Sequence, residues 1–183
     1  MFRTIAQFEK VSYEQFYKDF IKTFSMFEEK EIEEYSVDLN TIVRKVYDAI
    51  KLPKRATKGS AGYDFFTPID LKIVPNTTAK IPTGVRCKMK RNCVLQIYPR
   101  SSLGFKYRLQ LDNTIGIIDS DYYNSDNEGH IFIKVTNDTN EGKTIELKQG
   151  DGFAQGIFNK YYLAKEDNVN TKRNGGFGST NEK

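Results

Sequence analysis

The chain has 183 residues, of which 38% are hydrophobic, so it is long enough to bury one good-sized core. Its formal charge of +4 is compatible with a small anionic ligand and too weak to indicate a nucleic-acid-binding protein. The two cysteines form no CxxC pair, which argues against structural zinc. Two thiols without a secretion signal favour a reducing, cytosolic setting. No run approaches the ~20 apolar residues that span a bilayer, so we expect no membrane span.

The N-terminal part predicts a helix that precedes the main body of the fold. Residues Met1 to Lys10 lack the apolar core of a signal peptide. From Val11 to about Glu34 aromatic residues recur at helical spacing, and Ser12 with Gln15 forms a possible capping box. The recurring residues are Phe16, Phe20, Phe24 and Phe27. This stripe must pack on something, and we expect the chain's own body, with a subunit or a regulatory protein partner as the alternatives.

The rest of the chain is typical of a mainly β protein. Short apolar runs alternate with Gly, Asn and Asp, which favours an all-β barrel or jelly roll. The predicted strands are Thr41 to Tyr47, Leu71 to Val74, Thr78 to Ile81, Val85 to Met89, Cys93 to Tyr98, Leu109 to Leu111, Thr114 to Ile118, His130 to Thr136, Thr144 to Leu147 and Phe153 to Tyr162. We expect one domain, with residues 1–40 as an extension, 41–167 as the β core and 168–183 as a flexible arm.

Two motifs that precede Asn113 suit an anionic ligand. In Ala61-Gly62-Tyr63-Asp64-Phe65 the aspartate lies in an apolar run, so we expect it to accept hydrogen bonds from a buried donor. Pro99 to Lys106 follows a strand and predicts the start of a short helix, whose free N–H groups favour anions. Here Arg100 supplies a permanently charged donor fork, and Ser101 and Ser102 supply hydroxyl donors or cap the helix.

The motif with the most candidate catalytic and binding groups runs from Asn113 to Tyr122. A strand ends in Gly116-Ile117-Ile118-Asp119, with the tyrosine three residues further on. An amide, a carboxylate and an aromatic ring at one strand end can bind a base, activate a water and stack on a sugar. A turn-forming role for Asp119 is the plain alternative.

Two motifs lie near the C-terminus. Gly150 to Gln155 places a glutamine on a strand, where it can contact phosphate, order water or serve structure alone. Lys172 to Thr180 is rich in glycine but has no Gly-Lys-Ser/Thr of a P-loop, so we interpret it as an arm that closes over a ligand.

In this order the motifs resemble the five motifs of trimeric-type dUTP diphosphatases (dUTPases), over roughly Thr41 to the C-terminus. The likeness is closer to the enzymes of phages and low-GC Gram-positive bacteria. It implies a homotrimer with shared active sites that hydrolyses dUTP to dUMP and pyrophosphate. That reaction limits uracil incorporation into DNA and supplies dUMP for dTMP synthesis. It also implies Mg²⁺ held through phosphates and waters, with no direct protein ligand.

The resemblance further implies roles for individual residues. Asn113 reads the uracil edge together with the backbone of Gly116 and Ile117, and Asp119 activates the water. Tyr122 packs under the deoxyribose, where a 2′-hydroxyl would clash. The implied phosphate and arm residues are Arg100 with its supporting Asp64, Ser101, Ser102, Gln155, Arg173 for the γ-phosphate, Phe177 over the uracil, and Gly178, Ser179 and Thr180 beside it.

The chain departs from the family pattern at three places. The segment after Tyr122 is about five residues longer than usual, which predicts an exposed hairpin turn and leaves Tyr123 as an alternative for the sugar contact. Gly152 stands where arginine is common, and Lys106, Lys148 or a neighbouring chain is the expected substitute. The family's arm arginine often lies one position earlier, at Lys172, so either cation can serve.

Two other functions stay open on the sequence. A dCTP deaminase shares this architecture, although the set of Asn113, Asp119 and Tyr122 fits uracil and a hydrolytic water better. A non-catalytic protein-binding module would use the N-terminal helix or the long turn. We interpret His130 and the two cysteines as structural, because the chain lacks the His and Cys pattern of zinc deaminases.

Overall fold

A computed structural model describes residues 4–24, 36–171, 173 and 175. The helices are α1 (Tyr13–Phe24), α2 (Ser36–Asp48) and α3 (Ser101–Tyr107). The strands are β1 (Ala6–Lys10), β2 (Tyr63–Phe66), β3 (Leu71–Ile73), β4 (Thr78–Pro82), β5 (Val85–Met89), β6 (Cys93–Pro99), β7 (Leu109–Leu111), β8 (Gly116–Ile118), β9 (Phe132–Asn137), β10 (Ile145–Leu147) and β11 (Gly152–Lys160). A 3₁₀ turn covers Tyr122–Asn124.

The strands confirm the expected mainly β class. They pair antiparallel in four sheets, ordered β2-β11-β6-β8, β4-β9-β7, β1-β5 and β3-β10. Within the described ranges the hydrogen-bonded pairs do not close into one barrel. Inward residues of these sheets, such as Phe65, Leu95, Ile133 and Phe153, are fully buried and form the core between them.

The segment Thr41 to Tyr47 is helical, so its prediction as a strand was wrong. Its β-branched residues favour a strand locally. Leu39, Val43 and Ile50 are buried whereas Ile42 is half exposed, a spacing that fits a helix and its exit and not the two-residue alternation of a strand. Burial of one helical face therefore overrides the local preference.

Two strands were missed by the sequence analysis. β1 pairs with β5 from Ala6 opposite Met89 to Lys10 opposite Val85. β2 pairs with β11 and contains the aspartate of the first motif. Both are short and only partly apolar, so each depends on its neighbouring strand more than on its own sequence.

Helix α1 packs on the body of the fold, as expected. Phe16 and Phe20 are buried, and the ring of Phe16 lies 5.6 Å from the ring of Tyr47 on α2. The hydroxyl of Ser12 caps the helix by accepting from the amide of Gln15 at 3.1 Å. The predicted continuation to Glu34, with Phe27, lies outside the described residues.

The long segment after Tyr122 is a packed turn, which corrects the expectation of an exposed hairpin turn. Ser125 is only 5% exposed. The carboxylate of Glu128 accepts hydrogen bonds from the amide and the hydroxyl of Ser12, at 2.7 and 2.6 Å. The turn is thus joined to the start of α1. Among the described helices, none has the length and apolarity needed to cross a membrane.

Candidate active site

A cavity of about 680 Å³ opens beside strand β8. Its lining includes five of the residues predicted from the third motif, together with one from the arm. These are Asn113, Gly116, Ile117, Asp119, Tyr122 and Arg173. The structure therefore brings the amide, the carboxylate and the aromatic ring to one place in a single chain.

Local backbone geometry sets the position of these groups. Thr114 adopts a left-handed conformation with φ 65°, which turns the chain sharply between β7 and β8 directly after Asn113. Gly116 then pairs with Ile97 of β6, and a Cβ on this glycine would lie 3.0 Å from the Cβ of Ile97. Glycine thus allows β8 to approach β6 closely, and Asp119 follows directly at the end of the strand.

The carboxylate of Asp119 is about half exposed and is held by the arm. Nη1 of Arg173 donates to Oδ2 of Asp119 at 2.7 Å and to Oδ1 of Asp121 at 3.1 Å. Burial lowers the pKa of Arg173, but the hydrogen bonds and charges of the two carboxylates raise it more, so its net pKa lies above the ordinary value. The free chain therefore holds Asp119 as an ion pair, with a fully charged partner.

Tyr122 is the tyrosine on the cavity. Its side chain is 3% exposed, and its hydroxyl donates to the carbonyl of His130 at 2.7 Å while accepting from Nδ2 of Asn127 at 2.8 Å. Burial raises the pKa of Tyr122 to about 12, so the phenol stays neutral.

Tyr123 faces away from this cavity. Its hydroxyl donates to the carboxylate of Glu9 at 2.7 Å, and its ring lies 4.0 Å from the guanidinium carbon of Arg86. Of the two tyrosines that the sequence left open, the geometry therefore places Tyr122 with Asp119.

The predicted phosphate residues form a second group. Arg100 follows the end of β6, and its Nη2 lies 3.7 Å from Oδ2 of Asp64 on β2. Gln155 on β11 pairs with Asp64 and donates from Nε2 to the carbonyl of Pro99 at 3.2 Å. Arg100, Ser101 and Gln155 all line a cavity of about 540 Å³.

The start of α3 distinguishes between the two interpretations of the serines. Arg100 occupies the N-cap position in extended conformation, so Ser101 and Ser102 are the first two helical residues and not the cap. Both side chains are exposed. Their hydroxyls and amides are therefore available to a ligand at this end of the helix.

The position of Gly152 has a structural explanation. A Cβ there would lie 3.1 Å from Nη1 of Arg100, and that nitrogen approaches the carbonyl of Gly152 at 3.5 Å. Glycine at 152 thus leaves room for Arg100. Of the expected substitutes, Lys148 binds Asp70 at 2.9 Å and the Lys106 ammonium lies 5.1 Å from the ring centre of Tyr107.

The two groups line separate cavities. Ile97 lines the cavity of Asp119, whereas the next residue, Tyr98, lines the cavity of Arg100. No described residue lines both cavities, so a single chain keeps the two groups apart. Of the arm residues, Lys172, Phe177, Gly178, Ser179 and Thr180 lie outside the described residues.

Sequence reasoning missed several residues around the first cavity. Phe132 and Lys80 line it, with the lysine ammonium 4.5 Å from the centre of the phenylalanine ring. Alternation along β9 was the available signal for Phe132. No signal in the sequence indicated Lys80, because its strand, β4, is brought to the cavity only by pairing with β9.

Comparisons with known proteins agree with this geometry. The sequence model of the dUTPase family matches residues 48–181. A deoxyuridine 5′-triphosphate nucleotidohydrolase of Lactococcus lactis is 43% identical over 143 residues, covering 76% of this chain and 94% of its own. One of Desulfitobacterium hafniense is 39% identical over 140 residues, covering 72% and 88%.

Solved structures show the same fold. The dUTPase from Streptococcus mutans aligns with a TM-score of 0.57 at 39% identity, covering 64% of this chain and 91% of that one. The dUTPase from phage phi11 of Staphylococcus aureus, in which a structural Mg(II) ion is coordinated, aligns with a TM-score of 0.55 at 22% identity, covering 68% and 92%.

Proposed function

Because this chain belongs to the dUTPase family, we propose that it hydrolyses dUTP to dUMP and pyrophosphate. The observation that carries the proposal is the cavity that gathers Asn113, Asp119 and Tyr122 in one chain. The reaction limits uracil incorporation into DNA and supplies dUMP for dTMP synthesis, in a cytoplasmic setting.

The base and the sugar bind in this cavity. The Asn113 amide both donates and accepts, which suits the alternating groups of a uracil edge, and backbone groups of Gly116 and Ile117 complete the recognition. The Tyr122 ring lies under the deoxyribose and excludes a 2′-hydroxyl by contact. The buried, doubly hydrogen-bonded position of this ring supports that role.

The attacking water is activated by Asp119. A carboxylate within hydrogen-bonding reach of a water can take its proton as the oxygen attacks the α-phosphorus in line. Arg173 binds one oxygen of that carboxylate, Oδ2, in the free chain. The triphosphate, with its greater negative charge, is the partner to which the arginine moves, and the γ-phosphate is its contact.

The second group of residues binds the phosphates. Arg100 supported by Asp64, Ser101, Ser102 and Gln155 supply the donors, but Arg100, Ser101 and Gln155 line a different cavity from Asp119 in the same chain. We therefore propose that another copy of the chain contributes them, within a homotrimer. The arm, with Arg173, Phe177, Gly178 and Ser179, closes the site from a third copy, so the Arg173 that leaves Asp119 of its own chain contacts the triphosphate bound at another site of the trimer.

Mg²⁺ fits the chemistry of this site. The carboxylates of Asp119 and Asp121 converge on one cationic nitrogen of Arg173, so this edge of the cavity accepts positive charge through hard oxygen donors. We assign the direct ligands of the ion to phosphate oxygens and water. When bound, Mg²⁺ neutralises the charge that develops as pyrophosphate leaves.

The position of attack can be tested with labelled water. We expect hydrolysis of dUTP in H₂¹⁸O with Mg²⁺ to place the label in dUMP and none in pyrophosphate. Label in pyrophosphate would mean attack at the β-phosphorus and would refute the assignment of the water beside Asp119.

The shared site can be tested by mixing variants. Asp119→Asn and Arg100→Ala should each lack activity alone. A mixed trimer contains some sites whose Asp119 and Arg100 are both intact, so refolding the variants together should restore part of the activity. No recovery in a mixture shown to form mixed oligomers would place the whole site in one chain.

A further inference from the structure

We propose that Asp19, on the N-terminal helix, is a positioning residue for Tyr122 and acts through His130. The effect would be to sharpen the choice of deoxyribose over ribose. This inference rests on the proposed role of Tyr122 as the ring under the sugar. It assigns a task to the N-terminal extension, which precedes the segment matched by the dUTPase family model at 48–181.

His130 is held by both ring nitrogens. Its side chain is fully buried, and the amide of Gly84 donates to Nε2 at 2.8 Å. That bond requires a lone pair on Nε2, so the proton of the neutral ring is on Nδ1. Nδ1 then donates to Oδ2 of Asp19 at 2.6 Å. Asp19 and the Gly84 amide together fix both the tautomer and the orientation of the ring.

The backbone of the same histidine holds Tyr122. The carbonyl of His130 accepts from the tyrosine hydroxyl at 2.7 Å, and Asn127 donates to that hydroxyl at 2.8 Å. The imidazole packs 4.5 Å from the ring of Phe132, which lines the same cavity. A displacement of His130 would therefore move both the carbonyl that anchors Tyr122 and the imidazole packed on Phe132 at the wall of the cavity.

Asp19 is itself fixed on α1. Nε2 of Gln15 donates to the same Oδ2 at 2.8 Å, and the burial of Phe16 and Phe20 holds the helix on the core. Burial raises the pKa of Asp19, but the hydrogen bonds from His130 and Gln15 lower it more, so the carboxylate stays ionised. A charged acceptor makes a stronger bond to Nδ1–H than a neutral one.

The position of the ring decides what fits at the sugar. Steric exclusion of one hydroxyl depends on shifts well below 1 Å, because a packed ring either fills that space or leaves it. Losing the Asp19 bond should loosen the His130 carbonyl, and with it Tyr122. Ribose should then be accepted more readily, with a smaller effect on dUTP itself.

The test compares kcat/KM for dUTP and UTP in three variants. Asp19→Ala should reduce the dUTP-to-UTP ratio by about tenfold, the loss expected for one strong hydrogen bond. Asp19→Asn should keep most of the ratio, since both bonds use Oδ2 and an amide oxygen can accept them. Glu14→Ala is the matched control, an exposed acid on the same helix.

An unchanged ratio in folded Asp19→Ala would overturn the proposal, because simple loss of folded protein lowers both rates alike. A second readout does not depend on activity. His130 is the single histidine of the chain, so its nitrogen resonances need no assignment by mutation. We expect NMR to show a proton on Nδ1 and a lone pair on Nε2, and the opposite tautomer would refute the relay. A wild-type protein inactive on dUTP with the expected tautomer would instead refute the proposed function.

Discussion

The guanidinium of Arg173 lies 2.7 Å from the carboxylate of Asp119, so a cation assigned to the substrate is bound in the free chain to the group assigned as base. In the proposed mechanism Arg173 moves from Asp119 to the γ-phosphate, and the energy of separating the pair is subtracted from binding. Because Asp119 is about half exposed, solvent screens the pair and the cost is small.

Asp119→Asn should separate catalysis from binding. We expect kcat to fall by on the order of 10²–10⁴, the usual contribution of a positioned base. Affinity for the non-hydrolysable analogue dUpNHpp should be retained or rise a few-fold, because Arg173 no longer has to leave an ion pair. Titration calorimetry gives the affinity, and Asp126→Asn, an exposed acid in the adjoining turn, is the control. Wild-type kcat in Asp119→Asn would show that another group activates the water.

Arg173→Ala should weaken substrate binding, in contrast to Asp119→Asn. Loss of a charge-assisted contact to phosphate is expected to weaken dUpNHpp binding by about tenfold or more. Arg173→Lys keeps the charge but loses the donor fork, so its affinity for dUpNHpp should lie between those of the wild type and Arg173→Ala. Unchanged affinity in Arg173→Ala would transfer the γ-phosphate contact to Lys172.

The two adjacent tyrosines should differ in what they control. Tyr122→Ala should remove discrimination against UTP and destabilise the fold by about 3 kcal/mol, as for other buried aromatic rings. Tyr123→Ala should leave discrimination intact, since its ring packs against Arg86 and its hydroxyl binds Glu9. Rates for dUTP and UTP, measured at a temperature where circular dichroism shows both variants folded, decide between them. Lost discrimination in the Tyr123 variant alone would reverse the assignment.

The contact between the long turn and α1 should make stability fall in acid. Burial raises the pKa of Glu128, but hydrogen bonds from Ser12 and the charge of Arg86 lower it more, to a net value below the usual 4.5. The folded state therefore binds fewer protons than the unfolded state. This stabilisation is complete above the unfolded pKa and is lost as pH falls through the folded one.

Denaturant unfolding should accordingly show a free energy of unfolding that falls as pH drops below the usual glutamate pKa of 4.5. Glu128→Gln should make this slope shallower. Glu146→Gln, whose side chain is 71% exposed, should leave it unchanged. Equal slopes in all three proteins would show that the Glu128 contact does not form in solution.

Both thiols should be inert in the folded protein. Cys87 is 2% exposed and Cys93 fully buried, and burial followed by the charge of Glu9 raises the pKa of Cys87 to about 12. Because the thiolate is the reactive form, Ellman's reagent at about pH 8 should detect no thiol at first and both in concentrated guanidinium. Rapid reaction of either thiol in the native protein would show that the sheet around it opens easily.

Much of the fold follows from alternation in the sequence. Strands β5 and β7 have the bounds that were predicted, because each alternates buried and less buried residues between clear turns. Helix α2 was missed since its many β-branched residues favour a strand, and its helical face is evident only from which residues are buried.

The site was predicted in part for similar reasons. Asn113, Asp119 and Tyr122 belong to one short segment, so local order in the sequence keeps them together. The bond of Asp19 to His130 spans 111 positions, and no local pattern predicts such a pairing. The placement of Arg100 and Asp119 in different cavities likewise depends on strand pairings between distant parts of the sequence.

The most direct test of this account is the initial rate of pyrophosphate release from dUTP, dCTP, dTTP and UTP by purified protein with Mg²⁺. We predict rapid release from dUTP, little from the other three, and release from dUTP slowed on the order of 10²–10⁴-fold with Asp119→Asn. Ammonia from dCTP would indicate a deaminase on this fold. No release from any nucleotide by folded protein would contradict the account and favour a protein-binding role.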